Sequence, residues 1–87
     1  MTDDLIFAAQ VRAARGLLAW SQIDLAEKTG LSRTVIARLE QGVTDSRFST
    51  INQIRTTFAD AGVTFVTEPA GSFGVHCRAR RSARVAK

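Results

Sequence analysis

Between Gln22 and Gln41 the chain carries constraints at fixed offsets that few folds satisfy together. Ser21 and Asp24, three apart, have the pattern of a capping box, so a helix opens at Gln22 with Leu25, Ala26 and Thr29 as its inner face. Gly30 stops that helix by supplying the positive φ a reversal needs. Ser32 then caps a second helix over 33–40, whose inward edge is Ile36 and Leu39, and Gly42 ends it. Ala26 is small where two helices crossing at a steep angle come closest, and Leu25, Leu31, Ile36 and Leu39 supply a shared core for the corner.

The flanking segments complete a helical frame. Thr2 caps a first helix over 3–18, Asp3 and Asp4 sit at the positive end of its dipole, and Phe7, Val11, Ala14 and Leu18 repeat on one face. A fourth helix, capped by Ser49, buries Ile51, Ile54 and Phe58 and ends at Gly62, and Trp20 joins the core by its size. Beyond Gly62 the period becomes two: 63–67 is β-branched and aromatic, 68–72 is turn chemistry, and 73–77 alternates. The expected fold is mainly α, four helices with a helix-turn-helix in the middle, followed by a C-terminal β-hairpin. Residues 1–62 form the helical domain, 63–77 the hairpin and 78–87 a basic, solvated tail.

Charge separates along the same boundaries. The formal charge is +4, but residues 1–77 carry seven basic against eight acidic side chains, while the last ten residues carry five basic and no acid. A high pI suggests an anionic partner without saying which segment makes the contact. At 87 residues the chain buries a modest share of its surface, so oligomerisation is an expected source of stability. Cys77 has no second cysteine to pair with, and with His76 as the one histidine no zinc site is expected. No apolar run approaches the roughly 20 residues that span a bilayer, and the acidic start does not read as a secretory signal. A cytoplasmic, nucleoid-associated protein is expected.

The run Trp20-Ser21-Gln22, Leu25-Ala26, Thr29-Gly30-Leu31-Ser32, Val35-Ile36, Leu39-Glu40 and Gly42 resembles the Xre family, which includes the Cro and phage-type repressors. The likeness extends upstream through residues 12–18 and downstream through Ser49-Thr50-Ile51 and Ala61-Gly62-Val63, covering about residues 5–66. It implies a DNA-binding transcriptional regulator, a repressor acting as a homodimer on a two-fold operator. A hairpin stands where many members have a fifth helix. Some small members are antitoxins, so the alternative is an antitoxin that binds a toxin protein and represses its own operon.

With Ile36 and Leu39 inward, Arg33, Thr34, Ala37 and Arg38 point outward on the helix that enters the major groove in this motif. Arg33 and Arg38 can each fork to guanine O6 and N7, and Thr34 can offer a hydroxyl or a methyl, so these three are the expected base readers. Gln22, by family resemblance, contacts phosphate at a helix N-terminus, with Ser32, Thr44 and Arg47 as further phosphate contacts. Arg15 and Glu40 match a family ion pair and are assigned to structure. The hairpin is the expected dimerisation element, through Phe65, Val66, Phe73 and Val75. No nucleophile, phosphate loop or cofactor motif is present, and Asp24 and Glu27 lack a partner base, so neither an enzyme nor a cofactor is expected.

Overall fold

A computed structural model describes residues 3–43 and 47–78. Its elements run α1 (Asp3–Leu18), α2 (Gln22–Thr29), α3 (Arg33–Glu40), α4 (Phe48–Asp60), β1 (Val63–Thr67) and β2 (Phe73–Cys77). The mainly helical fold with a terminal hairpin is the one expected from the sequence. Thr2, the expected cap of α1, lies outside the described residues, as does the 79–87 part of the tail.

Local chemistry accounts for the helix ends. Ser21 closes both halves of its capping box: its hydroxyl accepts from the Asp24 N–H at 2.9 Å, and Asp24 Oδ2 accepts from the Ser21 N–H at 2.8 Å. Gly30 takes φ +78 and donates its N–H to Ala26 O, the left-handed ending that opens the reversal into α3. Ser32 caps α3 by accepting from the Val35 N–H at 3.1 Å. The fourth helix departs from expectation. Phe48 is already helical, Arg47 takes the extended cap conformation (φ −67, ψ 149) without a side-chain bond, and Ser49 falls inside the first turn instead of capping it. Because Arg47 O already accepts from the Ile51 N–H, the first turn closes two residues earlier than a Ser49 cap would allow.

Helices and hairpin share one core. Val11, Leu25, Ile36, Ile54, Phe58 and Val63 are fully buried, each worth about 1.5–3 kcal/mol of apolar transfer. Trp20 is only partly buried; it stacks on Phe58 at the core margin, with ring centroids 5.4 Å apart, and Lys28 covers it from outside. Phe65 continues the aromatic row, 5.7 Å from Phe58 and 5.5 Å from Phe7.

The hairpin is antiparallel, with Phe65 opposite Val75 and Val66 opposite Gly74. Alternation places Val63, Phe65, Val75 and Phe73 on the face toward the helices and Thr64, Val66, Gly74 and His76 on the outer face. Gln10 of α1 pins this sheet from below, its Nε2 donating at 3.0 Å to both Val66 O and Gly74 O. Gln10 is 2% exposed, and nothing in its sequence setting distinguishes it from a surface glutamine.

Candidate nucleic-acid interface

The corner that presents α3 is stitched on both sides. Thr29 is buried; its hydroxyl donates to Leu25 O at 2.8 Å and accepts from the Leu31 N–H at 3.3 Å, while Gln53 of α4 donates to Thr29 O. At the far end, Glu40 is 5% exposed and its carboxylate takes a two-pronged grip from Arg15, Nε to Oε2 at 2.6 Å and Nη2 to Oε1 at 2.8 Å. Arg15 also donates to Trp20 O at 2.9 Å, and Arg12 donates to the Glu40 backbone carbonyl. Donating to the Glu40 carboxylate raises the Arg15 pKa above its usual value although burial acts the other way. Gly42 follows with φ +71, directly under Leu5, where a Cβ would stand 2.6 Å from Leu5 Cδ2. The last turn of α3 is thereby fastened to α1 at three points.

What this clamp leaves outward is an exposed row. Arg33, Thr34 and Arg38 are exposed, and Ala37 between them is half-buried. Positions 33, 34, 37 and 38 lie on one side of a helix with 3.6 residues per turn, which puts two guanidinium groups and a hydroxyl on one short surface. Ile36 and Leu39 occupy the opposite side, as expected.

The expected phosphate contacts are more varied in their surroundings. Gln22 opens α2 and is half-buried, its Nε2 donating to Glu40 Oε1 at 3.2 Å, which leaves its second N–H for another acceptor. The Ser32 oxygen is engaged as the α3 cap but its O–H can still donate outward. Arg47 is exposed at the N-terminus of α4. Thr44 lies outside the described residues. Arg12 and Gln53 are positioning residues that sequence reading passed over. The only available signal was that Arg12 sits three residues before Arg15, on the same side of α1.

The expected dimer residues separate into two groups. Phe65 and Val75 pack against the core of their own chain, whereas Val66 and Phe73 are each 38% exposed, Val66 on the outer face and Phe73 at the hairpin tip. His76 and Cys77 are exposed neighbours on β2, and among the described residues no group of three or more His, Cys, Asp or Glu side chains is gathered as for a metal. Asp24, weighed as an acid, is spent on the capping box. No helix of the described residues is long and apolar enough to cross a membrane.

Comparison with known proteins agrees with this geometry. A helix-turn-helix family model matches residues 11–58, more than half of the chain and the whole of the α2–α3 corner. A comparison with curated proteins finds no match. The matched segment holds the buried Arg15–Glu40 clamp, the Gly30 reversal and the exposed α3 row, and so the chain belongs to the Xre-type, Cro-like helix-turn-helix family of DNA-binding transcription regulators.

Proposed function

We propose that the chain is a sequence-specific repressor that binds a two-fold operator as a homodimer. The observation that carries this reading is the row Arg33, Thr34 and Arg38, exposed on a helix whose opposite side and C-terminal end are tied into the core. Two guanidinium forks and a hydroxyl on one helix suit base edges in a major groove. Gln22, Ser32, Thr44 and Arg47 hold the flanking phosphates and set the register. Both recognition helices of a dimer would lie about 34–36 Å apart, one turn of duplex. Footprinting on upstream DNA, with and without competitor of random sequence, tests it. Protection of a two-fold site that survives competitor supports the reading, and protection that competitor abolishes refutes it.

The homodimer is assigned to the hairpin, with Val66 on the outer face and Phe73 at the tip as the contacting side chains, and Phe65 and Val75 fastening the strands to the core of their own chain. Light scattering of the full chain carrying Val66→Asp should report half the wild-type mass. An unchanged mass places the interface elsewhere.

A toxin protein seated on the same hairpin is the second reading. The open strip over Gly74, where a Cβ would meet nothing within 4 Å, favours it by leaving room beside Val66 for a partner side chain. Co-expression with neighbouring gene products and recovery of a stable complex tests that role.

A further inference from the structure

The ladder of the hairpin runs through its even-numbered residues. The Glu68 N–H donates to Ser72 O at 2.8 Å and the Arg78 N–H to Gly62 O at 2.7 Å, so in this register Val66 with Gly74 and Thr64 with His76 are the pairs that exchange backbone bonds. The N–H and C=O groups of Phe73, Val75 and Cys77 therefore point out of the sheet along the edge of β2, and those of Val63, Phe65 and Thr67 along the edge of β1. None of these groups has a hydrogen-bond partner among the described residues. Each edge is a template for another strand.

The two edges differ in their surroundings. β1 starts at the fully buried Val63, and the Arg55 guanidinium stands over the Phe65 ring at 5.6 Å, so pairing two copies through β1 would bring like charges together. β2 carries no charged residue, and α1 runs beneath it in the same direction: Ile6 and Phe73 line one cavity, and Gln10 is bonded to Gly74 O. Three and seven residues beyond Gln10, on the flank of α1 that Ile6 shares, Ala13 is exposed and Leu17 is 53% exposed. Gly16 lies beside them, and a Cβ there would meet nothing within 4 Å. An unpaired strand edge thus stands above an uncovered helix flank of small and apolar residues, which fits a strand that brings a helix with it.

We propose that the occupant is a second copy of this chain, joined by antiparallel pairing of β2 with β2 about a two-fold axis at Val75. This rests on the homodimer reading and specifies its edge and register. The strand is self-complementary: Phe73 pairs with Cys77 of the copy, Val75 with Val75 and Cys77 with Phe73, and every one of these residues has its backbone groups directed outward. The helices agree independently. Gln10 bonds carbonyls of both strands, so α1 lies under the midline of its hairpin, and two such midlines in a four-stranded sheet stand two strand spacings apart, about 9.6 Å. Packed helices lie about 8–10 Å apart. Val75 is one strand residue past Gly74, a rise of about 3.3 Å, which along α1 reaches about two residues past Gln10 and so places the axis next to Ala13. The two α1 helices then meet through Ala13 and Gly16, where no long side chain holds them apart. On the outer face, Val66 of one copy faces His76 of the other across Gly74, which has no side chain to separate them.

In this register Gly74 stands opposite His76 of the copy in a pair that exchanges no backbone bonds, with Cα atoms about 4.5 Å apart, inside the range a disulfide spans. Two Gly74 or two His76 residues stand about 8 Å apart, outside it. Both positions take a new side chain freely, since a Cβ at Gly74 meets nothing within 4 Å and His76 is exposed. Full-length Gly74→Cys chains co-expressed with His76→Cys chains, all carrying Cys77→Ser, should form a covalent dimer in oxidised glutathione, and either chain expressed alone should not. Light scattering of the unaltered chain separates the two levels of the account. Twice the chain mass without that cross-link, or with cross-linking as fast in either chain alone, overturns β2 pairing and leaves the homodimer standing; a single chain mass removes both. Hydrogen exchange of the unaltered chain gives a second reading that needs no substitution. The Phe73, Val75 and Cys77 amides should be protected while those of Phe65 and Thr67 exchange freely, and the reverse pattern overturns the proposal by moving the pairing to β1.

Discussion

Glu40, the last residue of α3, is held by Arg15 of α1 through two charged hydrogen bonds of 2.6 and 2.8 Å, and the same carboxylate accepts from Gln22 at the start of α2. Three helices therefore meet at one buried carboxylate. A buried pair adds little net stability over apolar packing, but breaking it strands a charge. Glu40→Ala should cost about 3 kcal/mol in urea unfolding, while the paired replacement Arg15→Met with Glu40→Leu should cost much less. Equal losses would show that Glu40 acts through packing alone.

Ala19 has φ +57, the left-handed conformation an alanine adopts at a cost of about 1–2 kcal/mol. It stands there because the chain must turn sharply between Leu18 and Trp20, both packed on the core, with the Trp20 N–H bonded to Arg15 O. Ala19→Gly should stabilise the protein by about 0.5–1 kcal/mol, after the greater freedom of glycine in the unfolded chain is counted. A lower melting temperature would contradict this.

Gln10→Leu removes both donors that pin the hairpin to α1, while the Val66 and Gly74 carbonyls keep their ladder bonds. The expected loss is about 1–2 kcal/mol. It should appear first as faster hydrogen exchange at 63–77, with the α2 and α3 amides little changed.

The Asp24 pKa is lowered, first by the Ser21 N–H and then by the Ser21 hydroxyl. A carboxylate whose folded pKa lies below its unfolded one contributes stability above its ordinary value, near 3.8, and loses it as pH falls through the lowered folded value. Asp24→Asn should therefore melt below wild type near neutral pH, with the two curves converging in acid. A gap that widens in acid would reverse the assignment.

How much of this was legible in the sequence follows from the range of each interaction. The capping box, the Gly30 reversal, the Ser32 cap and the Ile36–Leu39 edge depend on residues within four positions of each other, and each stands where the pattern put it. The hairpin strands were equally local, matching 63–67 and 73–77. Ser49 failed as a cap because a polar residue two positions too late still looks like one in a linear pattern. Gln10 meets partners 56 and 64 residues away, and no periodicity announces it. The division of Phe65 and Val75 from Val66 needed to know which face of the hairpin the helices cover. For the interface, the total charge carries little information: five of the twelve basic side chains stand in the last ten residues, and α3 offers Arg33 and Arg38 as its basic groups.

Selection of bound duplexes from a random pool, for wild type and for Arg33→Ala, tests the central claim most directly. The wild type should enrich a two-fold site with half-sites about 10 bp apart. Arg33→Ala should lose about 1–3 kcal/mol on that site and relax one position in each half. An equal loss on every sequence, with the preferred site unchanged, would contradict base reading by α3.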